Sequence, residues 1–210
     1  MSKILGIIGA GHLGLQIANL AISDGHYDKI VFFDDVVKEN QVEDFQILGS
    51  SDVVLEEFNK NSFDELLIGI GYNHLNIRQA LFERFSGKVP FATIIHSSNY
   101  VDPTAKIAEG VVVYPCCCID ANATIASNSV INLSCTISHD SIIGAHSFLA
   151  PRVAVAGFVT TAERCFFGIN TTISDSVSIV AETQTGAGSV VIKDILVSGV
   201  YVGNPIKKIR

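Results

Sequence analysis

The amino-acid sequence is most regular between residues 101 and 191, and the centre of this segment reads VINLSCTISHDSIIGAHSFLAPRVAVAGFV, residues 130–159. An apolar side chain recurs at every sixth position, and a small or β-branched side chain follows four residues after each. The apolar positions are Val101, Ile107, Val113, Ile119, Ile125, Ile131, Ile137, Ile143, Leu149, Val155, Phe167, Ile173, Ile179 and Val191, with Thr161 and Thr185 as the two exceptions. This period predicts a parallel β-helix, in which three hexads form one triangular coil and each short strand points one apolar side chain inward.

Stacking of coils explains why the repeat continues for so long. A single coil cannot bury its own apolar edge, so the neighbouring coils must cover it. The hexads supply about five coils. The period alone does not set the hand of the β-helix.

The first 95 residues follow a different pattern, in which strands and helices alternate. An apolar strand at residues 4–8, a Gly-rich turn, a helical pattern at 13–23 and a strand at 29–33 predict a βαβ unit. Further strands are expected at 65–70 and near 91–95, with a helix ending at about residue 85 between them. This half is too short for a full doubly wound dinucleotide domain, so it predicts a small Rossmann-like parallel sheet with one nucleotide-sized site.

Two domains follow from these patterns. The α/β domain covers residues 1–96, and the β-helix covers residues 97–210. Pro90 and the segment from His96 to Pro103 form a plausible hinge between them.

Composition argues against several classes of function. Fourteen Lys and Arg residues against 21 Asp and Glu give a net charge of −7, so the chain lacks the basic surface of a nucleic-acid binder. No uncharged apolar stretch reaches the ~18 residues of a membrane helix, so no membrane association is expected. Glycines and His12 break the apolar amino-terminal run, which has no small-residue cleavage site, and this predicts a cytoplasmic protein.

The five cysteines match neither a disulfide framework nor the spacing of a zinc site, so reduced thiols and no bound metal are expected. Cys117, Cys135 and Cys165 fall at the small inward positions of their hexads and are predicted to fill the core.

A Gly-rich turn between the first strand and helix is the first candidate binding site. Gly9, Gly11 and Gly14 form GxGxxG, and Asp34 and Asp35 end the next strand. Glycines permit close backbone approach, amides at a helix N-terminus hold phosphate, and an acidic side chain accepts from a ribose or base. The pattern favours a nucleotide or nucleotide sugar, and the alternative is a tight turn that only packs helix on strand.

Gly71 and Asn73 follow the strand at 65–70, at the edge where parallel sheets bind ligands. They are predicted to meet the same ligand. The alternative is a turn followed by an Asn helix cap.

His139 and Asp140 occupy the third and fourth positions of the hexad that starts at Ile137, outside the inward register. Both are therefore expected at a corner of the β-helix. A histidine with a neighbouring carboxylate is suited to general base catalysis, and the alternative is a solvated turn residue. His146 and the other histidines are weaker candidates.

Several segments together resemble the bacterial sugar acyltransferases related to sialic acid O-acetyltransferase and to the UDP-4-amino-sugar N-acetyltransferases. These segments are IIGAGHLGLQIANLA (7–21), FFDD (32–35), GIGYNHLNIR (69–78), INLSCTISHDSIIGAHSFLAP (131–151) and GVYVGNPIKKIR (199–210). The resemblance implies a left-handed β-helix and a homotrimer with active sites between subunits. It also implies that acetyl-CoA lies between adjacent β-helices and that the amino-terminal half holds a nucleotide sugar.

The resemblance also implies roles for individual residues. His139 matches the general base and Asp140 its acidic neighbour. His12 lies in the glycine turn that contacts substrate. The positions that match the acetyl-CoA site are Asn132, Gly157, Ile169 and Ala187. Some relatives carry a second histidine nine residues after the base, where this chain has Phe148, so that role does not carry over to His146.

The resemblance thus implies an acetyl-CoA-dependent N-acetyltransferase acting on the 4-amino group of a UDP- or dTDP-linked amino-dideoxy sugar. The alternatives are a sugar O-acetyltransferase of the sialic acid type and a non-catalytic β-helix protein that binds sugar nucleotides. A third alternative is an NAD-dependent enzyme, which rests on Gly9, Gly11, Gly14 and Asp34.

Overall fold

The computed structural model describes residues 2–210 and divides into two compact units, with the division between Ile94 and Ile95. The first unit is a five-stranded sheet with helices, and the second is a β-helix. Both parts of the predicted fold class are confirmed.

The sheet of the first unit has the strand order β3-β4-β2-β1-β5 and is parallel except for the β3–β4 pair. Its elements are β1 (Ile4–Ile8), α1 (His12–Ser23), β2 (Lys29–Phe33), β3 (Gln41–Val42), β4 (Phe45–Gly49), α2 (Val54–Asn59), β5 (Glu65–Ile68) and α3 (Leu75–Phe85). Short 3₁₀ turns precede α2 at Ser51–Val53 and α3 at Tyr72–His74. The central strands are almost wholly buried because helices cover the sheet, which explains their continuous apolar runs.

The strand predicted near 91–95 is only partly present in this unit. Phe91 makes only an isolated bridge to Leu66, and β6 (Ile94–Ile95) belongs to a sheet of the β-helix. The first part of the apolar run near 91–95 is buried beside β5, and the last part is buried in the β-helix. A sequence pattern does not distinguish these two kinds of burial. The strands β3 and β4 and the helix α2 were not predicted, because the segment at 36–64 has no long periodic pattern.

The β-helix has three faces of parallel strands, and strand residues pair with the residue 18 positions further on, as Cys118 does with Thr136, except in the last coil, where Thr183 pairs with Gly199. The first face contains β7 (Tyr100–Val101), β10 (Cys118–Ile119), β13 (Thr136–Ile137), β16 (Ala154–Val155), β19 (Thr172–Ile173) and β22 (Val190–Val191). The second face contains β8 (Lys106–Ile107), β11 (Thr124–Ile125), β14 (Ile142–Ile143), β17 (Thr160–Thr161) and β20 (Ser178–Ile179). The third face contains β6, β9 (Val112–Val113), β12 (Val130–Ile131), β15 (Phe148–Leu149), β18 (Phe166–Phe167), β21 (Thr183–Thr185), β23 (Gly199–Val202) and β24 (Lys207–Lys208), of which β24 is antiparallel to β23.

Inward side chains build one continuous core, as the hexad period predicts. The two threonines that interrupt the apolar series are buried but bonded: Gly144 N–H donates to Thr161 Oγ1 and Gly168 N–H to Thr185 Oγ1, both at 3.0 Å. Gly168 N–H also donates to Thr185 O at 3.1 Å, whereas the Thr161 hydroxyl accepts Gly144 N–H, a donor that burial would otherwise leave without a partner.

Tight turns join the faces, and the fourth residue of nearly every hexad has a left-handed backbone. These residues are Cys116, Asn122, Asn128, Ser134, Asp140, His146, Arg152, Phe158, Arg164, Asn170, Ser176 and Glu182. Asn and Asp tolerate this conformation better than most residues, whereas a bulky residue such as Phe158 adopts it rarely.

Candidate active site

His139 and Asp140 form the turn that joins β13 on the first face to β14 on the second face. We call this column of turns, which also contains residues 102–105, 120–123 and 156–159, the first corner. The pair lies outside the core, as predicted, and the side chains of His139 and Asp140 are 47% and 38% exposed. His139 Nδ1 lies 3.0 Å from Asp140 Oδ2. A neutral imidazole that donates from Nδ1 keeps the lone pair of Nε2 for a proton from substrate.

The next coil of the first corner packs directly on the His139 ring. A Cβ at Gly157 would lie 2.8 Å from Cε1 and 2.9 Å from Nε2 of His139. Any residue other than glycine would therefore displace the imidazole ring. The ring of Phe158 meets the imidazole edge to face, with centroids 5.1 Å apart. Gly157 was predicted as an acetyl-CoA contact, and in the structure it borders the candidate base. Phe158 was not predicted, and the signal in the sequence is a bulky apolar residue at the fourth position of a hexad, where the neighbouring hexads have polar residues.

The other three residues predicted to bind acetyl-CoA lie on a different edge, which joins the third face to the first. We call this column of turns, which includes residues 132–135, 150–153, 168–171 and 186–189, the second corner. Asn132 Oδ1 accepts from Leu133 N–H at 2.8 Å, while Ile169 and Ala187 are exposed one coil apart. Within one chain, the width of the first face, roughly 15–20 Å for six residues, separates this corner from His139.

An apolar row runs along the second corner at 18-residue intervals: Leu133, Pro151, Ile169 and Ala187. Leu133 and Ile169 are 44% and 43% exposed, although large apolar side chains usually lie inside. Leu133 and Pro151 were missed because the hexad pattern marks only inward positions. The row is a narrow apolar edge suited to an extended, largely apolar chain.

The first unit contains a cavity of about 410 Å³ at the carboxyl ends of β1, β2 and β5. Its lining is Ile8, Gly9, Asp34, Asp35, Val36, Ile70, His74, Ile77 and Leu81. Three of the predicted binding residues therefore share one cavity, at the edge where parallel sheets bind ligands. The sequence does not single out His74, and only the tertiary structure places it at this cavity.

Asp34 is largely engaged by the backbone around this cavity. Its Oδ2 accepts Ala10 N–H at 2.7 Å, and its Oδ1 accepts Val36 and Val37 N–H at 2.8 and 2.9 Å. Burial raises the pKa of Asp34, but these three donors outweigh burial and hold the pKa below its usual range. Asp34 is thus a carboxylate that fixes the glycine turn.

Asp35 also has partners within the chain. Its two oxygens accept from the backbone N–H and the hydroxyl of Ser51, at 2.7 and 3.0 Å. Both acidic residues therefore shape the cavity wall, and any contact with a ligand uses their remaining lone pairs.

The glycines of the first unit separate into two kinds. A Cβ at Gly14 would lie 1.9 Å from Gly9 O, and Gly9 itself has φ +107°, so these two residues allow α1 to pack on the sheet. A Cβ at Gly11 or Gly71 would meet no atom within 4 Å. The packing alternative therefore describes Gly9 and Gly14, while Gly11 and Gly71 leave open space for a ligand.

His12 is exposed at the first turn of α1, and Asn73 is exposed in the 3₁₀ turn before α3. Neither residue is among those that line the cavity. No side chain caps α3, whose N-cap is His74, so the alternative of an Asn73 helix cap is wrong.

His146 is nearly buried, and its Nδ1 lies 3.0 Å from Asn128 Nδ2 of the preceding coil. Phe148 is also buried and stacks near Phe166. His146 is thus part of the packing of another corner and does not lie beside His139.

The cysteines predicted to fill the core do so: Cys117, Cys135 and Cys165 are buried. Burial raises the pKa of Cys165 to about 11, which disfavours a thiolate nucleophile. Among residues 2–210, no group of three or more His, Cys, Asp or Glu side chains is arranged to hold a metal ion. Within the same residues, every helix is too short or too polar to cross a bilayer.

Known proteins share both the fold and its domain order. Residues 4–85 match the PglD N-terminal domain family. The acetyltransferase domain of PglB from Neisseria gonorrhoeae FA1090, solved with acetyl coenzyme A, is 25% identical with a TM-score of 0.91, and 100% of both chains is covered. PerB from Caulobacter crescentus, solved with CoA and GDP-perosamine, is 26% identical with a TM-score of 0.87, covering 100% of this chain and 98% of PerB. WeeI from Acinetobacter baumannii AYE shares the fold, with a TM-score of 0.86 at 20% identity over 99% of this chain and 100% of WeeI.

The hexad β-helix, the exposed His139 and Asp140 pair and the similarity to acetyl-CoA-dependent sugar acetyltransferases together indicate a hexapeptide-repeat acyltransferase. Residues 4–85 thus match a PglD-type amino-terminal domain, and the whole chain is similar to sugar acetyltransferases with the same two-part fold. The predicted resemblance to hexapeptide-repeat sugar acetyltransferases and the prediction of an acyltransferase are confirmed.

Proposed function

We propose that the protein transfers the acetyl group of acetyl-CoA to the 4-amino group of a nucleotide-linked amino-dideoxy sugar, with His139 as the general base. The observation that carries the proposal is the His139 and Asp140 pair, with Nδ1 held 3.0 Å from the carboxylate and Nε2 directed away from it. PglB and PerB, the two similar proteins that were solved with acetyl-CoA or CoA, support the acyl donor. The GDP-perosamine bound to PerB supports a nucleotide sugar as acceptor.

The chemistry is a direct transfer. The lone pair of the sugar amine attacks the thioester carbonyl, a C–N bond forms, and the C–S bond of acetyl-CoA breaks to release CoA. His139 Nε2 takes the proton that the amine loses, and Asp140 stabilises the resulting imidazolium. The proton then passes to the departing thiolate, so atoms and charge balance. Direct transfer requires no covalent enzyme intermediate.

A homotrimer would bring the two corners together. The predicted acetyl-CoA residues Asn132, Ile169 and Ala187 lie across the first face from His139 in one chain, so a site that contains both sets needs a second copy. The apolar row at the second corner suits the pantetheine arm of CoA. We propose that each active site pairs the first corner of one subunit with the second corner of its neighbour.

The α/β domain, proposed as residues 1–96, would hold the nucleotide, and the β-helix, proposed as residues 97–210, would carry the transfer. The cavity with Gly9, Asp34 and Asp35 supports a nucleotide site, and open Gly11 supports close approach of a phosphate to the start of α1. His12, Gly71 and Asn73 remain predicted contacts at the exposed rim.

The test is CoA release from acetyl-CoA with a panel of UDP-, dTDP- and GDP-linked 4-amino-dideoxy sugars and free sialic acid. We expect turnover with one nucleotide amino sugar and a 10²- to 10⁴-fold lower rate, approximately, for His139→Ala with acetyl-CoA binding retained. His26→Ala, at the far end of α1, is the matched control and should keep the wild-type rate.

Other outcomes would contradict parts of the proposal. Turnover of sialic acid alone would indicate the O-acetyltransferase. Binding of sugar nucleotide without any transfer would indicate a non-catalytic protein, and wild-type activity in His139→Ala would exclude this base.

A further inference from the structure

Asp140 is held from two sides, and only one of them is His139. Its Oδ2 faces His139 Nδ1, while its Oδ1 accepts Asn122 Nδ2–H at 3.2 Å from the coil below. The side chain of Asp140 is 38% exposed, so a carboxylate bonded to His139 alone would lose rotamer entropy to keep its orientation. The second bond fixes which oxygen faces the imidazole.

Asn122 is itself anchored by the backbone. It occupies the left-handed turn position with φ 58°, and its own N–H donates to Thr104 Oγ1 at 2.8 Å. Thr104 in turn donates its hydroxyl and its N–H to Asp102 Oδ1, at 2.6 and 2.9 Å. The bonds from Thr104 lower the pKa of Asp102, which therefore remains a carboxylate acceptor at neutral pH. Thr104, Asn122 and Asp140 stand one above another at 18-residue intervals, so a hydrogen-bonded string spans three coils of the first corner.

We infer that Asn122 is a positioning residue for the acetyl transfer, which orients Asp140 so that the neutral His139 ring carries its proton on Nδ1. This inference rests on the proposed function, because an Nε2 lone pair matters only if His139 is the base. Asn122 touches neither His139 nor the proposed reacting atoms in any described contact. Its effect passes through Asp140.

The tautomer of His139 tests this inference without any substrate. Nitrogen NMR of ¹⁵N-histidine protein distinguishes Nδ1–H from Nε2–H, and the signal of His139 is identified by its loss in His139→Ala. We expect the Nδ1–H form to dominate in the wild type and to fall in Asn122→Gly and Asn122→Asp. Glycine keeps the left-handed turn and removes the donor without adding a charge, whereas Asp keeps the shape of Asn but replaces the donor with a carboxylate that repels Asp140.

Kinetics provide the second readout. Both variants should lower kcat by about 10- to 100-fold, because misplaced catalytic groups carry such penalties, with the KM for acetyl-CoA unchanged within about twofold. Asn61→Gly, the same change at a left-handed position of the first unit (φ 59°), is the control and should leave tautomer, kcat and melting temperature unchanged.

An unchanged tautomer ratio in both variants, or a kcat within about twofold of wild type, would overturn the inference. If no nucleotide sugar turns over with the wild type, the proposed function fails, whereas the tautomer experiment still decides whether Asn122 orients the pair.

Discussion

The β-helix and the α/β unit place functional groups by opposite means. In the β-helix most positions have an equivalent 18 residues away, so a residue with a chemical role differs visibly from the others in its column. Asp140, for example, lies between Asn122 and Phe158 in the same column. In the α/β unit no position has an equivalent, and one motif, GxGxxG, mixes packing glycines with an open one. In a repeat, a candidate functional residue can therefore be recognised because it differs from the equivalent residues of the other coils. In the α/β unit, such residues can be recognised only from their contacts in the three-dimensional structure.

Gly14→Ala should have the largest effect on stability. It tests whether Gly14 is a packing glycine within the GxGxxG motif of the α/β unit. The added Cβ would meet the backbone at Gly9 O, at 1.9 Å, where neither partner has a flexible end that can move away. We expect a loss of about 3 kcal/mol or more in the free energy of unfolding, measured by urea denaturation.

Gly11→Ala is the matched control for this change, because its Cβ would meet no atom within 4 Å. Its cost should stay below about 1 kcal/mol. Equal costs for the two variants would show that the motif does not divide into packing and open positions.

Gly157→Ala tests whether the absence of a side chain at this one position of the repeat is needed for acetyl transfer. The new Cβ would displace the His139 ring, which is a side chain and able to move, so stability should change by less than about 1 kcal/mol. The rate of acetyl transfer should fall by about 10- to 100-fold. Steady-state kinetics and thermal melting of the same preparation give both values, and a stable variant with full activity would contradict the role of Gly157.

Asp34→Asn should destabilise the protein by about 1–3 kcal/mol at pH 7, since it replaces a carboxylate that accepts three backbone N–H groups. The lowered pKa in the folded state means that the carboxylate stabilises the fold above its ordinary pKa of 3.8. This stabilisation is lost as the pH falls through the folded-state pKa.

Urea denaturation of both proteins between neutral and acidic pH measures the effect. The difference between wild type and Asp34→Asn should therefore shrink below about pH 4. Asp44→Asn, in the exposed β3–β4 turn, is the control. A difference that is independent of pH would be inconsistent with a role for the carboxylate charge.

Thr161→Val should destabilise the protein, although the hexad rule favours an apolar residue at this position. Val fits the apolar period and has nearly the same shape, but it removes the hydroxyl that accepts Gly144 N–H inside the core. We expect a loss of about 1–3 kcal/mol in urea denaturation with an unchanged m value. Thr160→Val, on the exposed side of the same strand, is the control, and a more stable Thr161→Val would mean that the period alone governs this position.

Much of the fold and part of the site could be predicted from the sequence. The period placed the inward residues of every coil and put His139 and Asp140 on a corner, because strand alternation is local and the coils repeat. The prediction of one strand near 91–95 was only partly right: Phe91 pairs with Leu66, whereas Ile94–Ile95 belongs to a β-helix sheet, and burial in either place produces the same apolar run. The alternative in which Asn73 caps α3 was wrong, because a 3₁₀ turn places His74 at the N-cap position of this helix.

The sequence alone was sufficient for the two-part architecture, the inward register of the β-helix and the corner position of the candidate base. All three follow from local periodicity and from the need of each coil for a neighbour. The tertiary structure was needed for the roles of Gly14 and Gly11, for the backbone partners of Asp34 and for the contacts of Gly157 and Asn122 with the pair. These depend on atoms that come from distant turns and strands, and no pattern in the sequence records which of them face a backbone, a ring or open space.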